Sequence, residues 1–246
     1  MEYAITLEKV SIAYQGKNYC QNALDQVSLN IPKQQIFGFL GPNGAGKTTA
    51  IKAILNLLIP QQGKISIFGK PNTCHTVRKN IGYMPEIANY YWYLTPKELL
   101  LMYAAIFNIE KKQALKLIDK LLRMVELTQQ SNILMKNFSK GMMQKVSFAQ
   151  ALINDPDLLI LDEPTSGLDP VARMNMRNII RSLRDQGKTI FFSSHELSEI
   201  ELMCDSIAIL NQGQLIKTNS IQEILNNSKG NSLEKYFLDL ITQDTK

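Results

Sequence analysis

Cysteine, histidine and tryptophan are scarce in this sequence of 246 residues, and long apolar runs are missing. The three cysteines, Cys20, Cys74 and Cys204, are odd in number and far apart, which excludes a disulfide framework and favours a reducing cytosol. The N-terminus lacks the basic and apolar stretches of a signal peptide, so we expect no secretory leader. The longest uncharged apolar run near the middle, residues 99–109, is too short to cross a bilayer. If the protein acts at a membrane, a partner must supply the spanning part.

Extreme charge is also missing. The formal net charge is +5, charged residues make up 20 % of the chain and hydrophobic residues 45 %, which is typical of an ordinary globular protein. No run of six like charges marks a nucleic-acid tail, and we expect no nucleic-acid partner. The mild positive charge allows an anionic ligand or acidic lipid nearby, but we favour a solvated basic surface as its explanation.

Two kinds of strand pattern are present. Apolar and polar residues alternate through the first thirty residues, which predicts half-buried antiparallel strands. Residues 36–40, 158–161 and 189–193 are instead apolar almost throughout, which is typical of strands covered on both faces. Each is followed by a glycine-rich or polar loop, and helical patterns lie between them. The sequence therefore predicts an α/β fold with a parallel sheet.

The middle of the chain has helical patterns only. Thr95 and Glu98 form a capping box around Pro96, which predicts a helix start, and residues 114–125 have apolar residues at helical spacing. Residues 206–218 predict a hairpin that turns at 212–213, and residues 232–241 a closing helix. We predict one domain over residues 1–246, with a core of 1–88 and 137–225, an inserted helical subdomain of 89–136 and a short tail of 226–246.

The strongest motif is GPNGAGKT, residues 41–48, which fits the phosphate-binding P-loop pattern between a buried strand and a helix. Backbone N–H groups of such a loop converge on phosphate oxygens, and the helix N-terminus adds positive potential. Lys47 is expected to bind the β and γ phosphates and Thr48 to ligate Mg²⁺. The predicted ATP-binding residues of this segment are Gly41, Pro42, Asn43, Gly44, Ala45, Gly46, Lys47, Thr48 and Thr49.

Two acids follow the buried strand at 158–161. In a P-loop protein the first of them, Asp162, holds Mg²⁺, and Glu163 can orient the attacking water or accept its proton. Taken alone, two acids could simply end a strand. Their pairing with a P-loop favours the catalytic interpretation.

Four segments in this order, GPNGAGKTT, FSKGMMQK, LLILDEPTSGLDP and FFSSH, resemble the ATP-binding subunit of an ABC transporter. The resemblance covers nearly the whole chain. It implies a P-loop NTPase parallel-sheet core with an N-terminal antiparallel β subdomain and an inserted α-helical subdomain. It also implies ATP and Mg²⁺ as cofactors, ATP hydrolysis, a dimer of identical or different subunits around ATP, and a membrane-spanning partner at the cytoplasmic face of the cell membrane.

Residue roles follow from the same resemblance. The signature loop that touches the opposite subunit's ATP corresponds to Ser139, Lys140, Gly141 and Met142, and Asp169 to the loop that links the two sites. His195 corresponds to a γ-phosphate contact and acts with Glu163 and Lys47 in catalysis. Tyr14 corresponds to the aromatic residue that stacks on adenine, although an alternating strand residue would look the same.

Two segments depart from the family's usual pattern. The usual signature is LSGGQ, whereas Lys140 and Met142 replace a small and a polar residue here. Glu86 stands where most relatives carry glutamine, and as a carboxylate it is a third predicted Mg²⁺ ligand beside Thr48 and Asp162. Both departures resemble a branch of drug and natural-product exporters. We therefore predict export and intact ATPase activity.

Four aromatic residues in succession, Tyr90, Tyr91, Trp92 and Tyr93, lie at the entry to the helical subdomain. Consecutive side chains cannot all face one core. The resemblance implies that this junction, with Glu86, borders the groove that receives a helix of the membrane subunit, and rigid aromatic rings suit such contacts. The alternative is that two of the four pack inside the subdomain and the others are half exposed.

Three other functions fit the sequence less well. A soluble ABC-type ATPase acting on ribosomes or DNA is the main alternative, but such proteins carry two cassettes or long coiled coils that this chain lacks. An inactive regulatory subunit conflicts with the intact Lys47, Asp162, Glu163 and His195. A GTPase conflicts with the absence of an N-K-x-D motif.

Overall fold

The computed structural model describes residues 2–16, 19–227 and 233–243. The strands of this part are β1 (Tyr3–Gly16), β2 (Tyr19–Pro32), β3 (Ile36–Leu40), β4 (Gln62–Ile67), β5 (Lys70–Pro71), β6 (Ile81–Met84), β7 (Leu158–Asp162), β8 (Thr189–Ser194), β9 (Ser206–Asn211) and β10 (Gln214–Ser220). The helices are α1 (Lys47–Ile54), α2 (His75–Arg78), α3 (Pro96–Ile106), α4 (Lys111–Met124), α5 (Lys140–Ala151), α6 (Pro170–Asp185), α7 (Leu197–Met203), α8 (Ile221–Asn227) and α9 (Leu233–Gln243), with a 3₁₀ turn at Met135–Asn137. The chain forms two compact units, residues 1–78 with 189–246 and residues 79–188.

The first unit contains an antiparallel sheet in the order β2-β1-β4-β5. The alternation predicted for the N-terminal residues is confirmed, because Ile5, Leu7, Val27 and Leu29 are buried. The alternation shifts between Leu7 and Val10, where β1 bulges and Lys9 has a positive φ of 48°. A bulge adds one residue to a strand and so breaks the period of two.

The first unit also contains the parallel strands that carry the P-loop. Strands β8 and β9 both pair in parallel with β3, and β10 returns antiparallel to β9 through a turn at Gln212 and Gly213. This confirms the predicted hairpin. Strands β3 and β8 are buried along their whole length, as their apolar sequences predict. The predicted closing helix is α9, although Ser232, where the prediction began, lies outside the described residues.

The second unit pairs β6 in parallel with β7 and adds the helices α3, α4, α5 and α6. The capping box is confirmed at the start of α3, since the Thr95 N–H donates to Glu98 Oε2 (2.8 Å) and the Glu98 N–H to Thr95 Oγ1 (3.2 Å). Residues 89–136 hold two helices and a 3₁₀ turn but no strand, and all of them are among the described residues. The exact subdomain bounds stay a prediction. Within the described ranges, no helix combines the length and apolar character that crossing a bilayer requires.

Candidate nucleotide-binding site

The P-loop joins β3 to α1 and has the backbone geometry that phosphate binding needs. Gly44 and Gly46 have φ values of 80° and 106°, which glycine adopts without strain. Gly46 is the N-cap of α1 and supplies no side-chain cap, and the first turn of the helix carries no acid. The N–H groups at this end of α1 therefore point to an anionic ligand rather than to a capping side chain.

The loop is braced by neighbouring backbone. The N–H of Gly213, in the β9–β10 turn, donates to the carbonyl oxygen of Ala45 at 2.9 Å. The carbonyl oxygen of Gly213 in turn accepts from the N–H of Asp25 at 2.8 Å. A Cβ atom on Gly46 would lie 2.3 Å from the carbonyl oxygen of Ala23, so only glycine fits there. The loop conformation is thus fixed by β2 and by the hairpin.

Lys47 is buried and lies across the P-loop. Its Nζ donates to the carbonyl oxygens of Gly41 (2.6 Å) and Pro42 (3.2 Å). The ammonium is therefore held against the loop, where its positive charge complements a phosphate.

Tyr14 and His195 lie in the same unit as the P-loop. The Tyr14 hydroxyl is 3.4 Å from Thr49 Oγ1, and its side chain remains exposed, so its ring borders the first turn of α1. Leu40 and Ser194 are partners in the parallel β3–β8 pair, so Gly41 and His195 both follow the carboxyl end of adjacent strands. Ligands of such sheets bind at this edge. The structure thus brings His195 and the P-loop to one sheet edge.

The two acids lie in the second unit. Asp162 is the last residue of β7 and Glu163 follows it, and both are buried. Glu163 has a positive φ of 53°, a conformation that costs energy in a residue other than glycine. Its carbonyl oxygen accepts hydrogen bonds from Gln144 Nε2 (2.9 Å) and from the Ser166 N–H (3.1 Å).

The pKa of Tyr83, on β6, is affected by the negative charge of nearby acids. Burial raises the pKa of Tyr83 to about 12, and the negative charges of Asp162 and Glu86 add to the rise. Met84 and Leu161 are partners in the parallel β6–β7 pair, so Glu86 and Asp162 follow the same edge of adjacent strands. The Tyr83 hydroxyl therefore stays protonated well above neutral pH.

The residues predicted to hold a metal have the right donor chemistry. Thr48, Glu86 and Asp162 offer oxygen ligands only, which Mg²⁺ prefers. In residues 2–16, 19–227 and 233–243 there is no cluster of three or more His, Cys, Asp or Glu side chains that could hold a metal alone. Mg²⁺ bound with a nucleotide needs only one or two carboxylates, because phosphates and water supply the other ligands. The donor set therefore fits Mg²⁺.

The signature segment begins α5. Ser139 is the N-cap, and its Oγ accepts from the Met142 N–H at 3.2 Å. Lys140 Nζ donates to Ser166 Oγ at 3.4 Å. A cavity of about 450 Å³ is lined by Ser139, Lys140, Gly141, Met142 and Asp169, among others. The second unit therefore brings the predicted signature loop and the predicted dimer-linking aspartate to one cavity.

Asp169 also has a local role that the sequence analysis missed. It is the N-cap of α6, where its Oδ1 accepts from the N–H groups of Val171 (3.0 Å) and Ala172 (2.9 Å). The hydrogen bond from Ala172 is the main reason that the pKa of Asp169 is lowered. The pair Asp169-Pro170 is the signal for this cap, because proline is favoured in the first turn of a helix.

The four aromatics divide into one anchor and three exposed rings. The Tyr90 hydroxyl is hydrogen-bonded to Ser147 Oγ and to Gln150 Oε1, and burial raises its pKa. Tyr91, Trp92 and Tyr93 expose 52 %, 63 % and 55 % of their surface. They contact one another, with ring centroids of Tyr93 at 5.6 Å from Tyr91 and 5.8 Å from Trp92. Tyr90 is therefore tied to α5, whereas the other three rings are exposed, and the docking role of all four stays a prediction.

Comparison with known proteins gives the family. The family description "ABC transporter" matches residues 24–166. Over 200 residues the chain is 43 % identical to the bacitracin transport ATP-binding protein BcrA of Bacillus licheniformis, covering 80 % of this chain and 64 % of that protein. The chain belongs to the ABC transporter ATP-binding family.

Other ABC proteins agree with this assignment. The Nod factor export ATP-binding protein I of Neorhizobium galegae is 38 % identical over 87 % of this chain and 61 % of its own length. A solved ATP-binding subunit of an ABC transporter has a TM-score of 0.87 at 31 % identity, covering 97 % of this chain and 99 % of that one. The ATP-binding cassette MJ0796, solved as a dimer in a post-hydrolysis state with ADP and Pi, has a TM-score of 0.82 at 25 % identity, covering 88 % and 98 %.

These comparisons confirm the predicted family and the P-loop NTPase fold. The chain spans about three-fifths of the length of the relatives it matches, with 59 % and 61 % for two cyanobacterial ABC transporter ATP-binding proteins. The roles assigned to the individual site residues stay predictions. Sequence analysis did not predict any role for Gln144, which is buried on α5. The feature that could have pointed to it is a polar side chain on the apolar face of the helix, three residues before the buried Ser147.

Proposed function

We propose that this ABC cassette is the ATP-hydrolysing subunit of a transporter, that it dimerises around ATP, and that it drives export through a separate membrane-spanning subunit. The observation that carries the proposal is that one chain holds both halves of such a site. It has a P-loop with Lys47 held against it, and a signature loop that shares a cavity with Asp169. A chain with only the first half would bind a nucleotide without needing a second cassette.

Hydrolysis is assigned to the following residues. The N–H groups of the P-loop and the Lys47 ammonium bind the phosphates of ATP, and the Tyr14 ring stacks on adenine. Glu163 orients a water molecule and takes its proton as the water oxygen attacks the γ-phosphorus. The bond from the γ-phosphorus to the ADP oxygen breaks, so that ADP and phosphate leave. His195 contacts the γ-phosphate.

Thr48, Asp162 and Glu86 would hold Mg²⁺, which neutralises negative charge on the phosphates when it is bound. The proposal is supported by the oxygen-only donor set and by the burial of Asp162. The identity of the metal ion rests on this chemistry and on the family.

The dimer contact is assigned to the cavity beside the signature loop. Ser139, Lys140, Gly141 and Met142 would contact the ATP held by the other subunit, and Asp169 would link the two sites. Support comes from the cavity that all five line and from the related MJ0796 cassette, which was solved as a dimer. ATP would favour the closed dimer because only that state has both sets of phosphate contacts.

The membrane partner is assigned to the exposed aromatic rings. Tyr91, Trp92 and Tyr93, with Glu86 nearby in sequence, would form the docking surface at the cytoplasmic face of the membrane, and Tyr90 would anchor that segment. Large rings on a surface contribute much contact energy at small entropy cost. Export is supported by the signature segment and by the name of the Nod factor relative.

The test is Glu163→Gln, with the exposed Glu110→Gln as the matched control. We expect Glu163→Gln to bind ATP, to form an ATP-dependent dimer in size-exclusion chromatography and to lose about 10²-fold or more of the ATPase rate. Glu110→Gln should behave as wild type. Unimpaired hydrolysis by a folded Glu163→Gln would refute the assigned role. Co-purification from detergent-solubilised membranes then tests the partner, where a multispanning protein supports a transporter and ribosomes support the alternative.

A further inference from the structure

Glu163 has an unusual backbone for a residue that must point its side chain accurately. Its φ of 53° lies in the left-handed region, which non-glycine residues adopt only when their surroundings hold them there. Glu163 is also buried, so nearby groups rather than solvent determine its conformation.

Gln144 supplies one of the contacts that hold this backbone. Only 2 % of its surface is exposed, and its Nε2 donates to the carbonyl oxygen of Glu163 at 2.9 Å. The Ser166 N–H donates to the same oxygen at 3.1 Å, so both lone pairs of this carbonyl are used. A buried amide with a specific partner fixes geometry, because losing the bond would leave a polar group unsatisfied.

The position of Gln144 connects two parts of the cassette. It lies on α5, one turn after the signature residues Ser139 and Gly141. Because a helix moves largely as a unit, a displacement of α5 would carry the Gln144 amide with it. The Glu163 backbone would then lose its donor or be shifted by it.

We propose that Gln144 is a positioning residue for ATP hydrolysis, which holds the Glu163 backbone so that its carboxylate is aligned with the attacking water. The inference rests on the proposed role of Glu163. It also makes the alignment of Glu163 dependent on the position of the signature helix.

The first variant is Gln144→Met, which keeps the length of the side chain and removes the donor. We expect kcat to fall by about 10- to 100-fold, because small misplacements of catalytic groups have effects of this size. ATP affinity, measured with a fluorescent ATP analogue, should stay within about twofold, since a positioning role affects the reaction rather than binding. Gln113→Met, at an exposed position on α4, is the control and should leave both unchanged.

A second variant, Gln144→Glu, distinguishes a loss of kcat caused by misplacement of Glu163 from one caused by misfolding. An ionised carboxylate repels the Glu163 carbonyl oxygen, whereas a protonated one donates to it. We expect the ratio of variant to wild-type kcat to rise as the pH is lowered from 8 towards 6. A ratio that stays flat while the variant remains folded would overturn the proposal. This variant also decides the case in which Gln144→Met fails to fold.

The double variant Gln144→Met with Glu163→Gln tests the path of the effect. If Gln144 acts through Glu163, its loss should not lower the residual rate of Glu163→Gln further. If the rate loss of the double variant equals the product of the two single losses, Gln144 acts independently of Glu163 and the proposal is overturned. If Glu163→Gln itself hydrolyses ATP normally, the proposed function fails. If Glu163→Gln is inactive but a folded Gln144→Met turns over at the wild-type rate, only this inference fails.

Discussion

The hydroxyl of Tyr90 is hydrogen-bonded to Ser147 Oγ at 3.0 Å and thereby ties the aromatic segment to α5, the helix that begins with the signature loop. The same hydroxyl donates to Gln150 Oε1 at 3.1 Å, and the Tyr90 ring meets the edge of Tyr103 at a centroid distance of 6.5 Å. The first of the four aromatics is therefore a structural anchor.

The variant Tyr90→Phe measures the worth of this anchor. It keeps the ring and its contact with Tyr103 but removes the hydroxyl to which the buried Ser147 and the Gln150 oxygen are hydrogen-bonded. We expect the free energy of unfolding in urea to fall by about 1–3 kcal/mol. Tyr93→Phe, at an exposed ring, should change it by less than about 0.5 kcal/mol. Equal stabilities for the two variants would show that the hydroxyl contacts do not hold the segment.

The lowered pKa of Asp169 predicts that the stability of the protein depends on pH. Its folded pKa is lowered below the ordinary 3.8, mainly by the Ala172 N–H hydrogen bond. Because the folded value is depressed, the stabilisation is present above the unfolded pKa and is lost as the pH falls through the folded pKa. The wild-type melting temperature should therefore contain a loss below about pH 4 that comes from this cap.

Asp169→Asn isolates that loss, because asparagine also caps helices but does not titrate. We expect this variant to match wild type near pH 6 and to lose less melting temperature between pH 5 and pH 3. Asp157→Asn, at an exposed acid without a capping role, is the control. Parallel curves for Asp169→Asn and wild type would contradict the prediction.

Sequence patterns predicted the elements that repeat a simple period and missed contacts that join distant residues. The fully apolar segments at β3, β7 and β8 and the capping box at Thr95 are local signals, and the structure has each of them. The β1 bulge at Lys9 and the bond from Gln144 to Glu163 depend on which segments become neighbours. No window of sequence contains that information. For Asp169 the sequence analysis predicted only the dimer-linking role and missed the role as N-cap of α6, because an aspartate is common in both settings.

Tyr14 tests whether the predicted adenine contact is real. Stacking of an aromatic ring on a base is worth about 1–3 kcal/mol, so Tyr14→Ala should weaken ATP binding by about 5- to 150-fold. Tyr14→Phe should bind nearly as wild type, since the hydroxyl makes only a long contact of 3.4 Å to Thr49. Tyr3→Ala is the control, because Tyr3 and Tyr14 both lie on β1 and each exposes 39 % of its surface. If both alanine variants bind ATP equally, Tyr14 is only a strand residue.

The P-loop allows a sharper comparison between two glycines of positive φ. Alanine at Gly46 would place Cβ 2.3 Å from the carbonyl oxygen of Ala23, a backbone atom that cannot rotate away, whereas alanine at Gly44 would meet nothing within 4 Å. Both variants carry the strain of the left-handed region. Only Gly46→Ala must also shift the loop against β2, at a further cost of about 1–3 kcal/mol. We therefore expect Gly46→Ala to weaken ATP binding by about tenfold or more relative to Gly44→Ala, as measured by fluorescence titration.

Circular dichroism of both variants checks that they fold. A Gly44→Ala variant that binds as poorly as Gly46→Ala would mean that strain, and not contact with β2, sets the glycine requirement of this loop.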